Sequence, residues 1–159
     1  MKKAPLLKQI IARLNEKRTV LAKAARASHL EATHESSKAE NKYDTRGLEA
    51  AYLAGGQSRQ ANELLDSIKL YEALPIRHFA PGDPIDLTAL VRLDAQGTRS
   101  TYFIGPKNGG LEIEYQGEEI VVITPQSPLG QNLMGKKEGQ HWTAKLGGST
   151  VKYHIVSVL

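Results

Sequence analysis

Two long stretches of helical periodicity open the chain, and a stretch of two-residue alternation closes it. In the first, Leu7, Leu14, Leu21 and Ser28 recur every seven residues, and Ile11, Arg18, Ala25 and Ala32 follow each by four. This stripe predicts a helix from about Leu6 to about Glu31, apolar at first and small-residue later. Pro5 suits its first turn. At a rise of about 1.5 Å per residue the arm is roughly 40 Å long. In the second, Gly47, Ala50, Ala54, Gln57, Ala61, Leu64, Ile68 and Tyr71 alternate steps of three and four, the period of a coiled coil. Pro75 ends this arm. Gly55-Gly56 interrupts it, each Gly costing about 1 kcal/mol relative to Ala. Either the helix bends there, or a neighbouring backbone lies too close for a side chain. Two arms joined by the short polar stretch Glu35–Thr45 should fold back antiparallel.

From Arg77 to Pro84 the chain reads as linker and turn. Beyond it the alternation predicts strands over Leu87–Leu93, Arg99–Ile104, Leu111–Tyr115, Glu119–Ile123, Gln140–Leu146 and Thr150–Val158. Gly147-Gly148 supplies a hairpin turn, across which Trp142 and Tyr153 would pair. A short helix interrupts the strands. Ser127 caps it, Pro128 opens it, Leu129, Leu133 and Met134 face inward, and Gly135 ends it. The fold class is α+β: an antiparallel coiled-coil hairpin (1–76), a linker (77–84) and a small, mainly antiparallel sheet domain (85–159).

Composition narrows the chemistry. The chain has 159 residues, 40% hydrophobic and 24% charged, and no cysteine. Disulfides, thiolate metal sites and thiol nucleophiles are excluded. No segment approaches the roughly 20 apolar residues of a membrane span, and the expectation is a soluble, cytoplasmic protein without membrane partners. The net charge of +4 permits nucleic-acid contact without requiring it. The charges are unevenly placed. Lys2, Lys3, Lys8, Arg13, Lys17, Arg18, Lys23 and Arg26 face Glu16 as the single acid over that stretch. A charge run is usually a solvated face. His29 and His34 have poor spacing for one helix face and make no zinc motif. Gly109-Gly110 and Gly147-Gly148 are turns, not phosphate loops.

The segment Ser127-Pro128-Leu129-Gly130-Gln131-Asn132-Leu133-Met134-Gly135-Lys136-Lys137-Glu138-Gly139, followed by a terminal hairpin, closely resembles the C-terminal motif of the Gre family of bacterial transcript-cleavage factors. The order of helical hairpin and sheet domain is similar too. The resemblance implies an FKBP-like sheet domain that docks at the rim of the RNA polymerase secondary channel, with Ser127, Pro128, Leu133 and Gly135 matching the docking motif. Peptidyl-prolyl isomerase activity does not come with that fold, because the aromatic lining of such a pocket is missing. The coiled coil would enter the channel, and acidic tip residues would help hold a second Mg²⁺ at the polymerase active site, where the polymerase hydrolyses the 3′ end of backtracked RNA. The partners implied are bacterial RNA polymerase and the nascent RNA 3′ end. The factor would act as a monomer, have no cofactor of its own, and not be an enzyme.

The tip residues offered for that role are Glu40 and Asp44. At i, i+4 on the start of the second helix they would share a face, and Mg²⁺ takes one or two carboxylates plus waters and phosphates. The family tip reads Gly-Asp-Leu-Lys-Glu-Asn-Ala-Glu-Tyr, with its working Asp and Glu three apart. Here one register sets Asp44 on the Glu and Asn41 on the Asp, and the other sets Glu40 on the Glu and Ser37 on the Asp. Each replaces one carboxylate by a neutral residue. Glu40 and Asp44 then act as a pair with shifted spacing, or the protein occupies the channel as a regulator without cleavage. A generic coiled-coil interaction module is the third reading. On the basic stem, Arg13, Lys17, Arg18, Lys23 and Arg26 are the candidates for contact with RNA or polymerase, and such binding should be salt-dependent.

Overall fold

The computed structural model describes residues 1–146 and 149–159, so the expected Gly147-Gly148 turn lies outside the described residues. Tertiary contacts divide the chain into two units: Ile11–Glu72, and Met1–Ile10 together with Ala73–Leu159. The division falls at Glu72–Ala73 rather than after residue 76, and the first ten residues group with the sheet rather than with the hairpin. No helix among the described residues is long and apolar enough to cross a membrane.

The two arms form as helices α1 (Lys3–Thr33) and α2 (Arg46–Glu72). In the unit Ile11–Glu72 the seam is made of small side chains. Ala25, Ala50, Ala54 and Ala61 are buried, with Leu14, Ile68 and Tyr71 as the large buried residues. Ser28 Oγ donates to Gln57 Oε1 at 3.0 Å, and a Cβ on Gly47 would lie 3.8 Å from the Ala32 carbonyl oxygen. As α1 runs forward from Ser28 to Ala32, its neighbours on α2 run backward from Gln57 to Gly47, so the arms are antiparallel. Gly55 and Gly56 lie inside an unbroken α2. A Cβ on either would meet nothing within 4 Å, so close backbone approach is not the reason for them.

The sheet has six strands: β1 (Leu90–Ala95), β2 (Thr98–Ile104), β3 (Glu112–Tyr115), β4 (Glu118–Ile123), β5 (His141–Leu146) and β6 (Ser149–Val158). Their order is β3-β4-β2-β1-β6-β5. Among the described residues only β2 and β4 pair in parallel; the other four pairings there are antiparallel. Two hairpins close through two-residue Gln-Gly loops. Gln96-Gly97 and Gln116-Gly117 have positive φ at both positions, the primed turn whose twist matches that of the strands.

Both faces of the sheet are buried where it is broadest. Val91, Leu93, Ile104, Ile123, Ile155 and Val158 pack on one face with Leu133 of α3 (Pro128–Leu133). Trp142 and Tyr153 join its margin, stacked with ring centroids 4.8 Å apart. Alternation sends Leu90, Phe103, Ile120 and Val122 to the other face, and these are also buried. The beginning of the chain reaches this unit too. Leu6 and Ile10 are fully buried, and the Tyr115 hydroxyl donates to the Lys2 carbonyl at 3.1 Å.

Lys3 departs from the basic-arm reading, being only 7% exposed. Its Nζ donates to the Leu159 carbonyl at 3.0 Å and to the Arg77 carbonyl. It also lies over the Phe79 ring, 4.6 Å from the centroid. Burial, and secondarily the charge of Arg77, lower its pKa to about 8. Lys3 is a structural clamp and not part of a solvated strip.

Candidate functional site

The loop between the arms is built from short polar residues that bond their own backbone. After α1 comes a single 3₁₀ turn, Glu35–Ser37, whose preceding His34 side chain accepts from the Ser36 amide. A Cβ on Gly47 would sit 2.8 Å from the Ser37 carbonyl oxygen. Only glycine lets the loop pass that close to the first turn of α2.

Glu40 and Asp44 lie in this loop, before α2 starts at Arg46. The expectation that they share a helix face is therefore corrected. The physical reason is capping chemistry. Asp44 Oδ1 accepts from the Arg46 amide at 3.3 Å and Oδ2 accepts from the Glu40 amide at 3.2 Å. Thr45 takes the flanking position, its carbonyl accepting the first helical bond from Glu49 at 2.9 Å. Its hydroxyl donates to Glu49 Oε1 at 2.7 Å. Asn41 Oδ1 accepts from the Tyr43 amide at 2.9 Å, an Asx turn of the kind short amide side chains favour. The amides of Glu40 and then Arg46 hold the Asp44 carboxyl below its ordinary pKa, with the Arg46 charge adding to them and burial opposing.

A backbone bond, from the Glu40 amide to the Asp44 carboxylate, thus links the two residues in place of helical spacing. Asp44 is braced and partly exposed, and Glu40 is exposed. Among the described residues, no hydrogen bond or ion pair holds the Glu40 carboxylate. No group of three or more His, Asp or Glu residues there could hold a metal ion. The donor set fits Mg²⁺ as a supplement to ligands from elsewhere. Glu40 is free, and each Asp44 oxygen keeps a lone pair beyond its amide bond.

The five candidate stem cations do not share one face. Arg18 and Arg26 line a groove of about 620 Å³ with His29, over a floor that includes Ala22, Ala51, Ala54 and Gly55. Lys17 is about 180° around the helix from Arg26 at roughly 100° per residue. Arg13 is exposed and bonded to Glu16 at 2.9 Å. Lys23 is exposed and does not line the groove. His29, set aside in the sequence as a poor metal ligand, joins the pair because it follows Arg18 by eleven residues, three helical turns.

The Ser-Pro motif is explained by local structure. Ser127 Oγ accepts from the Gly130 amide at 3.0 Å and donates to the Thr124 carbonyl at 2.8 Å. Pro128 follows at the first helical position, exposed. Gly135 has φ +77° and donates its amide to the Ile85 carbonyl at 2.9 Å. Leu133 is fully buried, so it shapes this loop from beneath and offers no surface to a partner.

Residues 81–159 match the family described as transcription elongation factor, GreA/GreB, C-terminal. None of the curated proteins matches the chain. Among solved structures the chain is similar to the GreA factor homolog 1 (Gfh1) protein of Thermus thermophilus. That pair is 20% identical over 98% of this chain and 93% of the other, with a TM-score of 0.38. For Gfh1 of Thermus aquaticus the values are 20%, 95% and 92%, with a TM-score of 0.38. For GreA/GreB from Nitrosomonas europaea they are 19%, 62% and 78%, with a TM-score of 0.34. At these TM-scores the superpositions carry no argument, and the family assignment rests on residues 81–159.

Proposed function

Because this chain belongs, through residues 81–159, to the GreA/GreB family of transcription elongation factors, we propose that it binds RNA polymerase and places its helical hairpin in the secondary channel. In this reading it acts as a cytoplasmic monomer on another enzyme and is not itself an enzyme. The sheet unit docks, with Ser127, Pro128 and Gly135 setting the shape of the docking loop and Leu133 supporting it. The hairpin carries Glu40 and Asp44 to the polymerase active site, near the 3′ end of backtracked RNA. Arg18 and Arg26 are the stem cations best placed to meet phosphate or an acidic polymerase surface together.

The observation that supports the cleavage reading is the bond from the Glu40 amide to Asp44 Oδ2, which fixes the Asp44 carboxylate against the backbone of the residue that carries the other acid. Glu40 and Asp44 would help hold a second Mg²⁺ at the polymerase active site, which when bound would supply activation of the water for RNA hydrolysis. Glu40 contributes a free carboxylate. Asp44 contributes what its bracing leaves open, and its bonds to the Glu40 and Arg46 amides fix the loop.

A second reading keeps the docking and omits cleavage. It is favoured by the same bracing, since both Asp44 oxygens are already engaged by amides. A stalled, backtracked elongation complex with Mg²⁺ separates the two. Short 3′ RNA fragments, absent with Glu40→Ala/Asp44→Ala protein that still binds polymerase, support cleavage. Saturating, bound protein that yields no fragments leaves the regulator reading. Failure to bind polymerase removes both and leaves a generic coiled-coil module.

A further inference from the structure

The loop between the arms also exposes a large aromatic side chain. Tyr43 is 79% exposed, and it stands between Lys42 and Asp44. Its position is not slack. The Tyr43 amide is held by Asn41 Oδ1 at 2.9 Å, and the next amide, of Asp44, by the Asn41 carbonyl at 3.1 Å. Asp44 then ties the segment to Glu40 and Arg46. The loop therefore presents the ring outward from a braced backbone. Lys42 Nζ lies over the ring, 5.0 Å from its centroid, leaving the opposite π-face open.

The surroundings decide what this ring would meet. From His34 to Thr45 the apolar side chains are Ala39 and Tyr43 alone, among charged and short polar residues. A protein pocket is matched by an apolar cluster shielded from water. A single open aromatic face with a cation beside it is matched by a nucleobase, whose face stacks and whose phosphate takes the charge. We propose that Tyr43 is a stacking platform for an unpaired nucleobase, with Lys42 meeting the adjoining phosphate. The proposal deepens the reading of the tip as the part that reaches the RNA 3′ end, and it assigns that contact a residue outside the carboxylate pair. It predicts little base preference, because every base offers a π-face, and a strong dependence on salt.

The test has two arms. In the first, the whole isolated protein is titrated into a short single-stranded RNA carrying 2-aminopurine. Wild-type protein should quench the base, Tyr43→Phe should match it, and Tyr43→Ala should weaken binding about tenfold. Absence of quenching by wild type, or equal quenching by Tyr43→Ala, overturns the platform. In the second, 2-aminopurine sits at the RNA 3′ end of a backtracked polymerase complex. Here Tyr43→Ala should lose the quenching while keeping its affinity for polymerase. Lost polymerase affinity with unchanged base fluorescence would make Tyr43 a protein anchor and overturn the proposal. If wild-type protein does not bind polymerase, the family-based function fails, and the oligonucleotide arm still decides the platform by itself.

Discussion

Replacing Lys3 by Met should remove the rise of stability with pH that this side chain contributes above about pH 8. The Lys3 ammonium is 7% exposed and is held by the carbonyls of Arg77 and Leu159 and the face of Phe79. Burial, then the Arg77 charge, lower its pKa from 10.5 to about 8. Between those values the unfolded chain carries the proton and the native chain does not. Unfolded protein binding more protons means that stability rises with pH. The rise is at most about 1.4 kcal/mol per pH unit, or about 3 kcal/mol across the window. Below pH 8 both states are protonated and the contribution is flat. Met fills similar space without ionising, so its own stability lacks this term. Trp142 is the single tryptophan and lies in the same unit as Lys3, so its fluorescence in urea reports the right unfolding. The difference between wild type and Lys3→Met, in which other titrating groups cancel, should grow in favour of wild type from pH 8 to pH 10.5. A difference that stays flat, or that falls with pH, refutes the clamp as described.

Gly130→Ala would place a Cβ 1.9 Å from the Thr124 carbonyl oxygen; backbone must move, and a loss of about 3 kcal/mol is expected by urea unfolding. Gly55→Ala has the opposite sign. Nothing lies within 4 Å of its Cβ, so α2 should gain about 1 kcal/mol, seen as a higher midpoint by circular dichroism. Asp44→Ala should increase hydrogen exchange at the Glu40 and Arg46 amides, which lose their acceptor. In the wild type those amide shifts should follow a carboxyl titrating below 3.8. The depressed native pKa keeps the brace formed above that value and releases it as the pH falls through the native pKa.

The helical arms and all six strands were legible in the chain because burial follows a fixed period in each. The 3.5-residue stripe of α2 reappears as buried Ala50, Ala54, Ala61, Ile68 and Tyr71, and the strand boundaries agree to within three residues. What periodicity cannot carry is the identity of the surface that a stripe meets. Lys3 shows this. It precedes Leu6 by three residues and Ile10 by seven, which places it on the buried face, yet its residue type assigned it to the solvated one. The parallel pairing of β2 with β4 was not legible either, since two strands separated by a hairpin strand can pair only through the tertiary fold. The tip fails for a different reason: its letters support two local structures. Glu40 and Asp44 at i, i+4 spell a pair on a helix face, while Asn41, Asp44 and Thr45 spell turns and a cap. Capping prevails because amides at the start of α2 lack helical partners and a nearby carboxylate satisfies them directly. The same step that takes Asp44 out of the helix bonds it to the Glu40 amide. The Glu40 backbone and the Asp44 side chain are kept together by the chemistry that displaced both residues from the expected helix, and Tyr43, between them in sequence, is left exposed.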